Sequence, residues 1–338
     1  MRGRLSLGAV VAARRSGRLV RAGNQRVAQF DMAAAEPLFR QALAEAARSG
    51  RPRAVAQAAQ SLYFLLRRQH RDQEAADVLE QKVDAHRRLD GVDGRWTAEW
   101  RNEQIFVYGA LGMFDRLEAA CHERLASDVR RHGARSLEAG WALITLGWAL
   151  RLRERWDEAE ARYRQALDVI EAARGRDDPR TGWALVGLAV IRQHHGDVAG
   201  AEATLKRACM NWGRVGHTDR TALVQELLVD LYMCERRYED ALRLTSAWFE
   251  PGPRRSSPAD EPGVRRVERH AAVLRALGRS EEAGTFEVRA RTLRGSIEAR
   301  RLAAEVSRER VSQSEPDAPC ASANDRRIVG PLFPSPLL

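Results

Sequence analysis

"RWDEAEARYRQAL", Arg155 to Leu167, reads as one helix in which two small residues, Ala159 and Ala166, flank an aromatic, Tyr163. Positions three and four apart share a helix face. The three residues therefore line one seam, whose alanines let a neighbouring helix approach closely. Whether that seam is unique or recurs decides the fold. It recurs 42 residues on, in "GDVAGAEATLKRA", where Ala201, Leu205 and Ala208 stand at the offsets of Ala159, Tyr163 and Ala166.

Extending the search gives seven anchors, Ala35, Ala75, Leu117, Ala159, Ala201, Ala241 and Ala283, spaced by 40 or 42 residues. Six are Ala, whereas the overall content of 54 in 338 places about one Ala among seven random positions, an excess that marks a structural repeat. Four residues after the anchors come Phe39, Leu79, Cys121, Tyr163, Leu205, Thr245 and Glu287; nine before them come Arg26, Leu66, Tyr108, Leu150, Arg192, Tyr232 and Leu274. Each unit thus holds a first helix with a large packing residue and a second helix with a small anchor. A tight turn joins them, supplied by Gly112, Gly196 and Gly278 where the sequence shows it.

Composition agrees with an all-helical chain. β-branched residues are scarce, Ala and Arg abundant, and no apolar run is long enough to span a bilayer. The net charge of +10 is concentrated at the ends. Residues 1–28 carry seven Arg and no acid, while residues 29–250 carry 33 basic and 34 acidic residues. Only Lys82 and Lys206 are lysines; this bias, with the Ala usage, points to a bacterial GC-rich source. Cys121, Cys209, Cys234 and Cys320 form no CxxC and read as reduced thiols of a cytoplasmic protein. The start, "MRGRLSLGAVVAARR", lacks a small-residue cleavage site and reads as a frayed basic arm rather than a signal peptide.

The pattern resembles the tetratricopeptide repeat. Leu146, Gly147, Ala159, Tyr163 and Ala166 fill its characteristic places best, and Leu188, Ala189, Gly196, Ala201, Leu205 and Ala208 do so in the next unit. The 42-residue period and the loops "GRDDPRT" (175–181) and "GHTDRT" (216–221) look like the kinesin light chain class. That class's paired Asn is replaced by Ile144-Thr145 and Val186-Gly187. Thr97, Thr181 and Thr221, each twenty residues before an anchor, are expected to cap the first helices through their hydroxyls. The resemblance implies a right-handed α-solenoid of about seven helix pairs, with first helices lining a concave groove. The expected organisation is a basic arm over 1–16, the array over 17–294 with a Pro-rich linker at 250–262, a helix over 295–311 and a disordered tail over 312–338.

No phosphate loop, zinc signature or nucleophile elbow is present in the sequence, so no catalytic residue, metal ligand or cofactor is nominated. His194-His195-Gly196-Asp197 falls on a turn, and adjacent histidines on a helix point about 100° apart. Asp157-Glu158 and Glu239-Asp240 open second helices, where acids meet the helix dipole. Two rows on the first helices carry the binding expectation. Trp141 and Trp183 form one; Phe64, Phe106, Trp148, Val190 and Asp230 form the other. The resemblance turns both rows toward the groove, where aromatics suit an extended peptide or partner helix. The competing reading packs them between helices. The expected function is a non-catalytic scaffold binding a protein or peptide. The alternative is a peptide-sensing regulator whose Arg-rich arm contacts nucleic acid.

Overall fold

All seven anchors, Ala35, Ala75, Leu117, Ala159, Ala201, Ala241 and Ala283, are 0% exposed. Each is the fourth residue of the second helix in its pair. The structure, a computed structural model, describes residues 7–249 and 261–314. Its helices fall into two compact units. The first holds α1 (Leu7–Ala28), α2 (Met32–Ser49), α3 (Pro52–Arg68), α4 (Asp72–Asp90), α5 (Arg95–Ala110) and α6 (Phe114–His132). The second holds α7 (Leu137–Leu152), α8 (Trp156–Arg174), α9 (Gly182–His194), α10 (Val198–Arg214), α11 (Thr218–Cys234), α12 (Tyr238–Ser246), α13 (Glu261–Ala276) and α14 (Ser280–Ser314). No strand occurs among the described residues. Each helix packs on the next within its unit, and first helices also touch, α1 on α3, α7 on α9 and α11 on α13. The chain is an all-α array of helix pairs.

One turn geometry joins the two helices of every pair. Five residues before each anchor the backbone is left-handed, at Phe30, His70, Gly112, Glu154, Gly196, Arg236 and Gly278, with φ between 56° and 79°. The next N–H donates to the carbonyl of the residue nine before the anchor, for example Arg155 to Leu150 at 3.0 Å and Asp197 to Arg192 at 2.9 Å. This is the six-to-one bond of a Schellman turn, and it explains why that position is a repeat landmark whatever its side chain. Glycine marks three of the seven turns; the other four hold side chains in a conformation that costs roughly 1 kcal/mol.

Capping differs from the sequence expectation. Thr97 and Thr221 lie inside their helices, and Thr181 shows no capping bond. Their hydroxyls donate backward instead, Thr97 to Asp90 Oδ1 at 2.6 Å, Thr181 to the Asp178 carbonyl at 2.7 Å and Thr221 to the His217 carbonyl at 2.9 Å. A threonine so placed pins the loop onto the helix rather than satisfying the helix's own N–H groups. Second helices open on Asp31 or Asp197, whose carboxylates accept from Ala34 and Gly200 N–H at 2.9 Å. Four others open on an Arg bridged to an acid three residues on, in Arg71–Glu74, Arg155–Glu158, Arg237–Asp240 and Arg279–Glu282, and α6 opens on Met113 without a side-chain cap.

The ends also differ in extent. α1 begins at Leu7 rather than Gly17 because half-buried Ala9 and Ala13 continue the stripe of buried Ser16, Val20 and Gly23. α14 runs unbroken for 35 residues, since Phe286, Leu293 and Ile297 extend its apolar stripe against Val264 and Val267 of α13. Most of the Pro-rich linker, Cys320 and the expected tail from residue 315 lie outside the described residues.

Candidate functional site

On the first unit, Phe64 of α3 is 43% exposed. Its ring lies 6.3 Å from that of Trp100 on α5, edge to face, and 5.4 Å from that of Tyr63, which itself stands 6.4 Å from Trp100, so the three rings form one cluster. Lys82 of α4 is 0% exposed. Its Nζ stands 2.8 Å from the Trp100 ring centre and 5.9 Å from that of Phe64, and donates to Gln60 Oε1 at 3.1 Å. Burial pushes the Lys82 amine down to about 6, against the pull of Glu103 and Glu99. The Tyr63 hydroxyl donates to Glu103. The result is a face with two adjacent aromatic rings, two carboxylates beside them and an amine beneath. Phe106, one turn of the repeat further, is half-buried on α5.

In the second unit the nominated residues separate by depth. Trp141 and Val190 are half-buried, whereas Trp148 is 1% and Trp183 7% exposed. Trp183 meets buried Trp212 edge to face at 5.1 Å, and the Arg220 guanidinium lies over both rings. α7 and α9 are apolar nearly all round, so their tryptophans are absorbed into packing whichever face they occupy. Asp230 on α11 is held by Arg269 of α13 through two bonds of 3.0 and 2.9 Å, and Arg269 also reaches Glu226 at 3.0 Å. Desolvation raises the Glu226 carboxyl while Arg269 opposes that shift.

Three of the reactive side chains have structural roles or are buried. His194 stacks on Trp156 at 3.9 Å, and Asp197 caps α10. Burial pushes the Cys121 thiol up to about 12, leaving it protonated at neutral pH. Among the described residues no three His, Cys, Asp or Glu gather as a metal site, and no helix is long and apolar enough to cross a membrane.

A family model for the tetratricopeptide repeat matches residues 96–172 and 149–209. Those residues are tetratricopeptide repeats. The match covers the units in which anchor, turn and packing residue were clearest, and the same anchor burial and turn geometry continue on both sides of it. Two solved structures share the fold. A tetratricopeptide repeat protein from Parabacteroides merdae ATCC 43184 is 15% identical, with a TM-score of 0.52 over 84% of this chain and 98% of its own. A point variant of the nearly identical TPR-like repeats of a Podosopora anserina protein assigned as a kinesin light chain is 15% identical. It superposes with a TM-score of 0.50 over 59% of this chain and 95% of its own. No curated protein matches the chain by sequence.

Within this tetratricopeptide framework the sequence reading missed Trp100, Lys82 and Arg269. Lys82 had a partial signal: seven residues after four of the other six anchors stand Ala42, Ala166, Ala208 and Ala290, although Arg124 and Trp248 follow the remaining two. Trp100 lies outside both nominated rows and had none.

Proposed function

We propose that the chain is a non-catalytic interaction module that holds a protein or peptide partner against its first helices, in the cytoplasm of a bacterium. The observation that carries this reading is the exposed Phe64 ring paired with Trp100 on consecutive first helices, beside Glu99 and Glu103. Exposed aromatics beside charge are the residues that anchor interfaces. Phe106 adds to this surface on the first unit; on the second unit Trp141, Val190 and Asp230 are candidate contacts in their own right, with Trp148 and Trp183 packed inside that unit. A photo-crosslinking amino acid at position 64 tests the reading, with one at Met210, 57% exposed on a second helix, as control. A discrete partner adduct formed at 64 and not at 210 is expected; equal labelling at both sites contradicts it.

A second reading has one specific observation behind it. Arg14, Arg18 and Arg21 are exposed on α1 at helical spacing, with no acidic partner among the described contacts, whereas Arg15 and Arg26 are paired to Glu45 and Asp31. Such a stripe suits a phosphate backbone. If it binds duplex DNA, changing the three to Gln lowers the salt slope of binding by roughly three; an unchanged slope clears α1 of that role.

A further inference from the structure

The fifth pair departs from the array at one packing position. Nine residues before their anchors, Leu66, Tyr108, Leu150, Tyr232 and Leu274 are each at most 6% exposed. The first pair has Arg26 there, paired to Asp31. The fifth pair has Arg192, half-buried at the edge of a cavity of about 210 Å³ between α8, α9 and α10. Leu167, Leu185 and Leu188 form its apolar wall, and Arg207 and Arg176 join Arg192 on its polar side.

The Arg192 charge has no acidic partner among the described residues. Arg192 Nη1 donates to the Gly200 carbonyl at 3.1 Å and to the Thr204 hydroxyl, both neutral acceptors. Its Nε and Nη2 have no protein partner among the described residues. Arg207 is bridged to Glu171 and to the Arg176 carbonyl, yet its Nε is buried and unsatisfied. A buried donor without an acceptor is costly and invites one.

The repeat supplies a control. The equivalent place between α2, α3 and α4 holds a cavity of about 370 Å³, with Leu43 and Leu62 where Leu167 and Leu188 stand. Its lining includes Glu74 and Asp77, and its one arginine, Arg40, is paired to Glu36 and Glu74. The hollow therefore comes with the repeat. The unneutralised guanidinium in an apolar setting belongs to the fifth pair.

We propose that this cavity binds a small amphipathic carboxylic acid. The carboxylate bonds to Arg192 and Arg207, and a short aliphatic tail lies on Leu167, Leu185 and Leu188. A guanidinium pairs with a carboxylate through two parallel bonds. The volume, about seven waters' share of liquid, admits a chain on the order of six carbons. The site is independent of the partner surface on the first unit.

The test is titration calorimetry of the full chain with hexanoate, hexanol and inorganic phosphate, on wild type and Arg192→Leu. Leu is the residue of three other pairs at this position, so the variant keeps the fold. Saturable hexanoate binding, weakened at least about tenfold in Arg192→Leu by loss of a charge-assisted bond, supports the site. Absence of saturation, equal binding by the variant, or phosphate or hexanol binding as tightly as hexanoate overturns it. Should Arg192→Leu fail to fold, Ala203→Trp, at an exposed position on the cavity's rim, replaces it. Loss of hexanoate binding in Ala203→Trp supports the site, and retention overturns it.

Discussion

At the scale of single residues, the seam of the opening stretch is held by a fit between a ring and two glycines. A Cβ on Gly187 of α9 would lie 2.4 Å from the Tyr163 ring, and one on Gly147 of α7 would lie 3.1 Å from it. Gly23 and Phe39 repeat the arrangement in the first pair, at 2.4 Å. In two pairs the glycine's place holds β-branched Ile105 or Val229 and the ring's place the smaller Cys121 or Thr245, a partial exchange of volume across the seam that the second pair, with Tyr63 and Leu79, does not follow. Gly187→Ala is therefore expected to lower stability by about 1–3 kcal/mol. Adding Tyr163→Leu should recover part of the loss, as coupled neighbours do; denaturant unfolding of the double-mutant cycle measures both. Lys82 makes a pH prediction. Its folded pKa near 6 lies below its unfolded value, so between these limits the unfolded chain binds more protons and stability rises with pH. From pH 6.5 to 8.5 the wild type should gain stability relative to Lys82→Met, by on the order of 1 kcal/mol per pH unit. Parallel pH dependence in the two proteins would show that the amine is not desolvated. The anchors and Tyr163 were readable from sequence because small and large residues alternate at fixed offsets. The Lys82 environment was not, because Trp100 approaches it from a different helix.

At the scale of the helix pair, the turn is set by backbone geometry, and only part of it is written in residue type. Glycines marked three turns, but His70, Glu154, Arg236 and Phe30 adopt the same left-handed conformation. The Schellman bond is made by backbone atoms, so any residue able to bear the strain completes it. Glu154→Gly should accordingly raise stability by up to about 1 kcal/mol, read from the denaturation midpoint at unchanged m-value. The loops between pairs behave differently. Gly91, Gly133 and Gly175 combine φ of 83° to 90° with ψ of 156° to 172°, a region essentially closed to residues with a Cβ. Gly175→Ala should thus cost about 1–3 kcal/mol and more than Gly112→Ala, whose φ of 67° is ordinary left-handed backbone. The reverse order would mean that the loop relaxes into another conformation. The Thr expectation failed at this scale because a hydroxyl near a helix start can donate backward to the loop as well as accept from the helix. Residue type alone does not say which.

At the scale of the whole molecule, fold and function were legible to different depths. The period, the anchors and the near-neutral body gave the repeat array, because a unit that cannot bury its own face must repeat it. Depth along the first helices was not legible, because α7 and α9 are apolar on nearly every side and periodicity does not mark an outward face. Trp148 and Trp183 accordingly lie inside while Phe64 stays out. Trp148→Ser should cost several kcal/mol, on the order of 3–5, and broaden the thermal transition, whereas Phe64→Ser should leave the melt nearly unchanged. A partner-binding first-helix face is tested most directly by quantitative capture from native lysate with wild type and the Phe64→Ser/Trp100→Ser double variant, melting curves being recorded on both. The interaction reading predicts that the protein crosslinked at position 64 is retained by wild type and lost by a double variant that still melts cooperatively. Equal retention of that protein by the folded double variant would contradict it.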